Sequence, residues 1–364
     1  MKSIESIMKS KLDERLQQGN KRSLQTFEGY VDFLSNDYLS LSAIQTPDHV
    51  KTKPGSSRLI AGTTPLLLEL EQKCAEFFDG VSALHFNSGY AANLGVLSCV
   101  PQRGDVVIYD ERAHASIIDG MRLSLAQRVK FEHNNTEDLK KKLTQHKENT
   151  CFVVVEGLYS MDGDLAPLKE IDSLCKVFGA YLIVDEAHSG GVFGQNGKGY
   201  CAVEGIAPFL RIFTFGKAFG SHGACVVGSQ LTIDYLINFS RTFIYTTALD
   251  EQTVGRTLYL LKNIDFQKQQ NKLVEVIKKF NQLFFAVDCT SHADSPIKIL
   301  PFSDRKELKS IEEKLHQSKI GVKAIYSPTV PEDKECLRIS LHADNTTKEI
   351  EHLYNKVYGE NENL

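Results

Sequence analysis

A chain of 364 residues with 42% hydrophobic and 24% charged side chains is long enough for a large domain and a smaller one, and its composition suits a substantial buried core. Its formal charge of −4 offers no basic surface to nucleic acid and no polybasic patch to a membrane. Eight cysteines are scattered through apolar segments without a Cys-x-x-Cys pair, so they read as buried reduced thiols rather than a zinc site or a disulfide framework.

The first residues, MKSIESIMKSKLDERL, lack the continuous apolar core of a signal peptide. Ile4, Ile7, Met8 and Leu12 recur at helical spacing and predict an amphipathic helix. No apolar run reaches the length of a membrane span, which points to a soluble cytoplasmic protein. YVDFL follows as a short strand and SNDY as a turn cluster, within an N-terminal segment over 1–50. The next part, 51–250, holds short apolar runs rich in Val, Ile and aromatics: SALHF, DVVIYD, RVKF, CFVVVEG, AYLIVDEA, RIFTFG and ACVVGS. Between most of them lie helical patterns such as PLLLELEQKCAEFFDG and PLKEIDSLCKVFG. This alternation predicts an α/β domain with a mostly parallel sheet covered by helices on both faces. Residues 251–364 continue with a helical link, then PIKILPF, a helix over 304–318, CLRISLH and a helix over 346–358, a smaller α+β domain.

In open α/β sheets, ligands bind beyond the carboxyl ends of the strands. AYLIVDEAHSGG delivers Asp185 there, with His188 three positions on. A carboxylate in that place is costly without a cation or a strong donor. Taken alone it also suits a helix cap, an ion pair or half of a metal site. RIFTFGKAFG delivers Thr214 and Lys217. A lysine among glycines and phenylalanines loses hydration, so its amine pKa falls and it becomes a nucleophile able to form a Schiff base. Its bland alternative is a strand-end lysine reaching out to solvent. Together, an Asp and a Schiff-base Lys at strand ends of one sheet are the two protein partners of pyridoxal 5′-phosphate (PLP). Ser88-Gly89-Tyr90 opens a helix and offers main-chain N–H groups for its phosphate, with Thr214 as an added hydroxyl. His114 follows another strand end and is a candidate to stack on the ring. Ser160 follows strand 151–156, and Asp162 and Asp164 have turn chemistry, which makes them structural; no metal site is expected.

SNDYL, SGYAAN, HAS with IIDG, YSMDGD with APL, VDEAH and TFGKA occur in that order. This set resembles the α-oxoamine synthases, PLP-dependent enzymes of the aspartate-aminotransferase fold type (fold type I), and the resemblance runs over nearly the whole chain. It implies that Lys217 carries the cofactor, Asp185 pairs with its ring nitrogen, His188 bonds its phenolic oxygen, and His114 stacks over it. It implies further contacts from Ser160, and a phosphate site of Gly89, Tyr90 and Thr214, joined by Thr246 and Thr247 from the second chain of a homodimer. Arg338, assisted by Asn36, is expected to clamp an amino-acid carboxylate, and Thr329 and Arg22 to meet an acyl thioester carried by CoA or by a carrier protein. Lys217 is then tether and general base at once, with Asp185 and His114 completing the catalytic group. A glycine-using member of the family is the alternative, followed by an aminotransferase on the same fold. The chain departs from the family in having Thr64 and Leu67 at positions that often carry histidine, and Gly190 where many relatives carry threonine. His222, close to Lys217 in sequence, is expected to be packed or hydrogen-bonded without a catalytic role.

Overall fold

The apolar runs become strands buried by helices on both sides. In the computed structural model, residues 3–47, 55–327 and 329–359 are described. Twelve strands are formed among them: β1 Val31–Asp32, β2 Ser82–Phe86, β3 Val106–Asp110, β4 Gln127–Phe131, β5 Cys151–Glu156, β6 Tyr181–Asp185, β7 Leu210–Thr214, β8 Ala224–Gly228, β9 Ile297–Pro301, β10 Ile320–Gly321, β11 Lys323–Ile325 and β12 Cys336–Ser340. The main sheet has seven strands in the order β2-β8-β7-β6-β5-β3-β4. Pairing is parallel from β4 to β7, and antiparallel where β8 joins β7 and β2. Alternate side chains of the central strands serve two cores, as a pleated strand requires. Phe152, Val154 and Ile183 pack into one, and Val153, Val155 and Val184 into the other.

The helices are α1 Ile4–Gln17, α2 Pro65–Phe77, α3 Gly89–Cys99, α4 Ala115–Leu123, α5 Thr136–Gln145, α6 Leu168–Phe178, α7 Tyr200–Val203, α8 Gln230–Phe239, α9 Arg241–Ile244, α10 Glu251–Asn263, α11 Phe266–Leu283, α12 Arg305–Gln317 and α13 Thr347–Tyr358. Their starts follow capping chemistry. Thr64 accepts from the Leu67 N–H with Pro65 opening α2, Ser88 accepts from the Ala91 N–H at α3, and Thr346 with Glu349 forms a capping box at α13. Thr64 is therefore a helix cap, and Leu67 lies in the core at 2% exposure. Among the described residues no helix is long and apolar enough to cross a membrane. The eight cysteines are all free, seven of them buried and Cys289 partly exposed.

The C-terminal part is a three-stranded antiparallel sheet, β11-β12-β9, packed against α12. β1 pairs with β10 and so fixes the N-terminal segment to this part. The helix expected at the N-terminus is present, but none of its residues is buried, and Ile4, Met8 and Leu12 of its apolar stripe are exposed in the single chain.

A second fastening holds the segment after β1. Arg256 on α10 donates to the carbonyls of Leu41, Ser42, Ile44 and Gly220 at 2.8–3.1 Å. Gly220 has φ +56°, and a Cβ there would stand 2.3 Å from the Ser42 nitrogen, so only glycine lets the two backbones meet. The loop carrying Lys217 is thereby set against residues 41–42. Replacing Arg256 by Ala strands these carbonyls and is expected to cost about 2–3 kcal/mol. Urea unfolding should show a lower midpoint at unchanged slope.

Candidate active site

Four neighbouring strands of the main sheet end in polar side chains: Asp110 on β3, Glu156 on β5, Asp185 on β6 and Thr214 on β7. Asp185 is 5% exposed and receives two donors, the Asn93 amide at 2.7 Å and the Ala187 N–H at 2.9 Å. Asn93 sits one turn into α3 and also donates to Ser116 Oγ at 3.0 Å. Ser116 Oγ lies 2.7 Å from His114 Nδ1, and the His114 N–H donates to Glu156 Oε1 at 2.7 Å. His114 is thus held through ring and main chain while its residue stays exposed.

Lys217 follows β7 in a tight turn closed by the Gly220 N–H on its carbonyl. Part of the side chain is open to solvent, but burial of its amine end lowers the pKa to about 8, against the opposing charge of Asp185. Its Nζ lies 2.7 Å from His188 Nε2. Burial, then the positive neighbours Lys217, Arg338 and His114, hold the His188 pKa well below the usual histidine value, so the ring is neutral. From His188 Nδ1 a line of hydrogen bonds leads to Tyr38 Oη at 2.8 Å, on to Asn36 Oδ1 at 3.1 Å, and to Arg338 Nη2 at 3.0 Å. Tyr38 is fully buried, and burial pushes its phenol up to about 12. Arg338 Nε and Nη1 donate to the Ser160 carbonyl and to Ser340 Oγ, both at 2.8 Å.

At the α3 N-terminus a Cβ on Gly89 would fall 2.3 Å from Thr214 Oγ1, so glycine keeps a hydroxyl against the helix start. The Tyr90 side chain is exposed and its hydroxyl donates to Asp119, which leaves its main-chain N–H for the helix terminus. Thr246 Oγ1 and the Thr247 carbonyl accept from Asn87 of the same chain, each at 2.8 Å. Arg22 and Thr329 lie outside the strand-end cluster and together line a cleft of about 520 Å³ rich in cations, Arg15, Lys21, Lys306 and Lys309 among them. Thr329 and Ser160 also line a neighbouring cleft of about 710 Å³. His222, expected to be packed or hydrogen-bonded, is exposed. Glu156, Asn93, Ser116 and Tyr38 were not singled out from the sequence. Glu156 ends an apolar strand just as Asp185 does, and Tyr38 and Asn93 lie inside two of the motifs quoted above.

The loop 159–164 is secured by Asp162 and Asp164. Arg112 pairs with Asp162, and His133 bridges Asp110 and Asp164 at 2.8 Å each. Burial disfavours the imidazolium, but the two carboxylates raise its pKa to about 9.

The family profile described as aminotransferase class I and II matches residues 28–357. The chain belongs to this family. A curated relative, the 8-amino-7-oxononanoate synthase of Emericella nidulans, is 40% identical over 89% of this chain and 87% of its own. Among solved structures, 8-amino-7-oxononanoate synthase from Francisella tularensis is 32% identical with a TM-score of 0.78, covering 91% of this chain and 97% of its own. A serine palmitoyltransferase variant from S. paucimobilis, solved with PLP joined to myriocin, reaches 0.89 at 26% identity, with 98% of both chains covered. These relatives set the chain in the α-oxoamine synthase branch of the family, whose members are C-acyltransferases.

The His133 bridge gives a pH test. Its folded pKa of about 9 lies above the ordinary value near 6.5, so its stabilisation is complete below about 6.5 and is lost as pH rises through 9. Between pH 7 and 9.5, the stability gap between the protein and a His133→Gln variant should narrow in thermal melts.

Proposed function

We infer that the chain is an 8-amino-7-oxononanoate synthase of biotin biosynthesis. It condenses L-alanine with a pimeloyl thioester, carried by CoA or a carrier protein, and releases CO2 and the thiol. The reading is carried by the hydrogen-bonded line that joins an amine of lowered pKa, Lys217, to a guanidinium, Arg338, in a chain whose curated relatives bear that name.

Pyridoxal 5′-phosphate is the cofactor, and the residues present fit it. A helix N-terminus with Gly89 pressed against Thr214 suits a phosphate, a carboxylate at the end of β6 suits a ring N–H, and an amine with a pKa of about 8 suits an aldehyde. The group supplies an aldehyde for an amine and a ring that takes up the electron pair left when a Cα proton departs. The protein does the rest. Gly89 and Tyr90 offer main-chain N–H groups and Thr214 a hydroxyl to the phosphate. Asp185, fixed by Asn93, would keep the ring nitrogen protonated, and His188 would reach the phenolic oxygen. His114 would lie over the ring, and Ser160 would add a further contact. Arg338 and Asn36 receive the amino-acid carboxylate, which orients the Cα–H toward Lys217. The Lys217 amine then removes that proton and later returns one, acting as general base and acid in turn. Thr329 and Arg22 face the clefts through which the acyl thioester arrives.

The protein acts as a cytoplasmic homodimer. Thr246 and Thr247, beside Asn87 next to the phosphate site, are the residues a second copy would share, and exposed Leu59, Ile60 and Tyr245 near them support a covered surface.

Purified protein is expected to be yellow, and borohydride should fix the cofactor on Lys217. Uptake of cofactor by the stripped protein should rise with pH to a plateau above about 8, because only the neutral amine attacks an aldehyde. Lys217→Ala should lower turnover at least about a thousandfold; normal turnover would refute the mechanism. The assignment itself is tested by thioester-dependent CO2 release with alanine, glycine and serine, each offered pimeloyl, acetyl, succinyl and palmitoyl donors. Alanine with the pimeloyl donor should be preferred, and activity confined to glycine or to serine would sink the biotin assignment.

A further inference from the structure

Glu156 is a buried acid to which the mechanism gives no task. It is 3% exposed, and it is the direct cross-strand partner of Asp185 in the parallel β5–β6 ladder. Such partners lie about 4.8 Å apart and project from the same face. Two carboxyl groups so placed and shielded from water do not both ionise at ordinary cost. The donors decide which one does. Among the described residues, Asp185 receives two N–H groups, whereas Glu156 receives only the main-chain N–H of His114. The charge therefore belongs to Asp185 and the proton to Glu156.

The same bonds form a circuit. Asp185 accepts from Asn93, Asn93 donates to Ser116, Ser116 bonds the His114 ring, and His114 returns through its N–H to Glu156, next to Asp185. We propose that Glu156 is a positioning residue: an uncharged acid that fixes the His114 main chain, and so the imidazole, while leaving the single negative charge of the strand-end pair on Asp185. The groups facing it agree with this state. Asp185 on β6 and Asp110 on β3 oppose its ionisation, Tyr159 is a buried phenol beside it, and Lys217 and the His114 N–H are the groups that favour the anion. Burial and then the charge of Asp185 outweigh them and hold the Glu156 pKa well above the usual carboxylate range.

The proposal rests on the cofactor reading above, and the test separates the two. The protein, Glu156→Gln and Glu156→Ala are loaded with pyridoxal phosphate, and the pH midpoint of the bound cofactor's visible absorbance is measured beside turnover. Gln keeps an acceptor for the His114 N–H and no charge. It should hold the midpoint within about 0.3 unit and turnover within about threefold. A midpoint lowered by about one unit or more would mean that a negative charge had been removed, and would overturn the proposal. Ala leaves the His114 N–H unpaired and should lower turnover at least about tenfold and weaken cofactor retention. Unchanged turnover and retention in that variant would also overturn it. Absence of any cofactor band in the unsubstituted protein would instead remove the underlying reading, and the proposal with it.

Discussion

The amine of Lys217 sits where a cation is poorly hydrated, and much of the surrounding arrangement follows from that one condition. Burial lowers its pKa to about 8, while the charge of Asp185, beside the uncharged Glu156, keeps the fall from going further. Those acids can stand there because parallel strands deliver successive strand ends side by side, and because α3 and α4 begin just beyond them. Helix starts are rich in unpaired N–H groups. The His114 N–H, from the start of α4, goes to Glu156, and Asn93 on α3 goes to Asp185. Sheet topology thus sets the charge state of the site.

The second constraint is reach. Arg338 belongs to β12 of the smaller sheet and Lys217 to the loop after β7 of the larger one. They communicate through two residues that belong to neither, Asn36 and Tyr38, which follow β1. Neutral His188 can donate from one ring nitrogen and accept at the other, as a continuous line between an amine and a phenol requires. A charged His188 would have no acceptor to offer Lys217.

Much of this is legible in the sequence, for definite reasons. The central strands stand out because both their faces are buried, so their apolar character is nearly unbroken, and a single Asp or Lys at the end of such a run is conspicuous. Glu156 obeys the same rule and could have been found by it. What local pattern cannot convey is which distant donors meet. Asn93 reaches Asp185 across 92 positions, and Tyr38 reaches His188 across 150. The motifs contained these residues without indicating the bonds. Periodicity at the N-terminus predicts the helix but not its cover, because an apolar stripe says that something packs there and not what does. His222 differs for a related reason: a side chain in a turn can face either way, and spacing does not decide it.

The grip of Arg256 on residues 41–44 also bears on the order in which the protein can assemble. These residues form no strand with their neighbours in sequence. Their carbonyls wait for a guanidinium more than 200 positions later, and β1 waits for β10. Chains emerge from the ribosome N-terminus first, and parts that need distant partners remain open until those partners arrive. The segment that brings Asn36 and Tyr38 to the site is therefore synthesised well before the partners that hold it, and is among the last parts to be held.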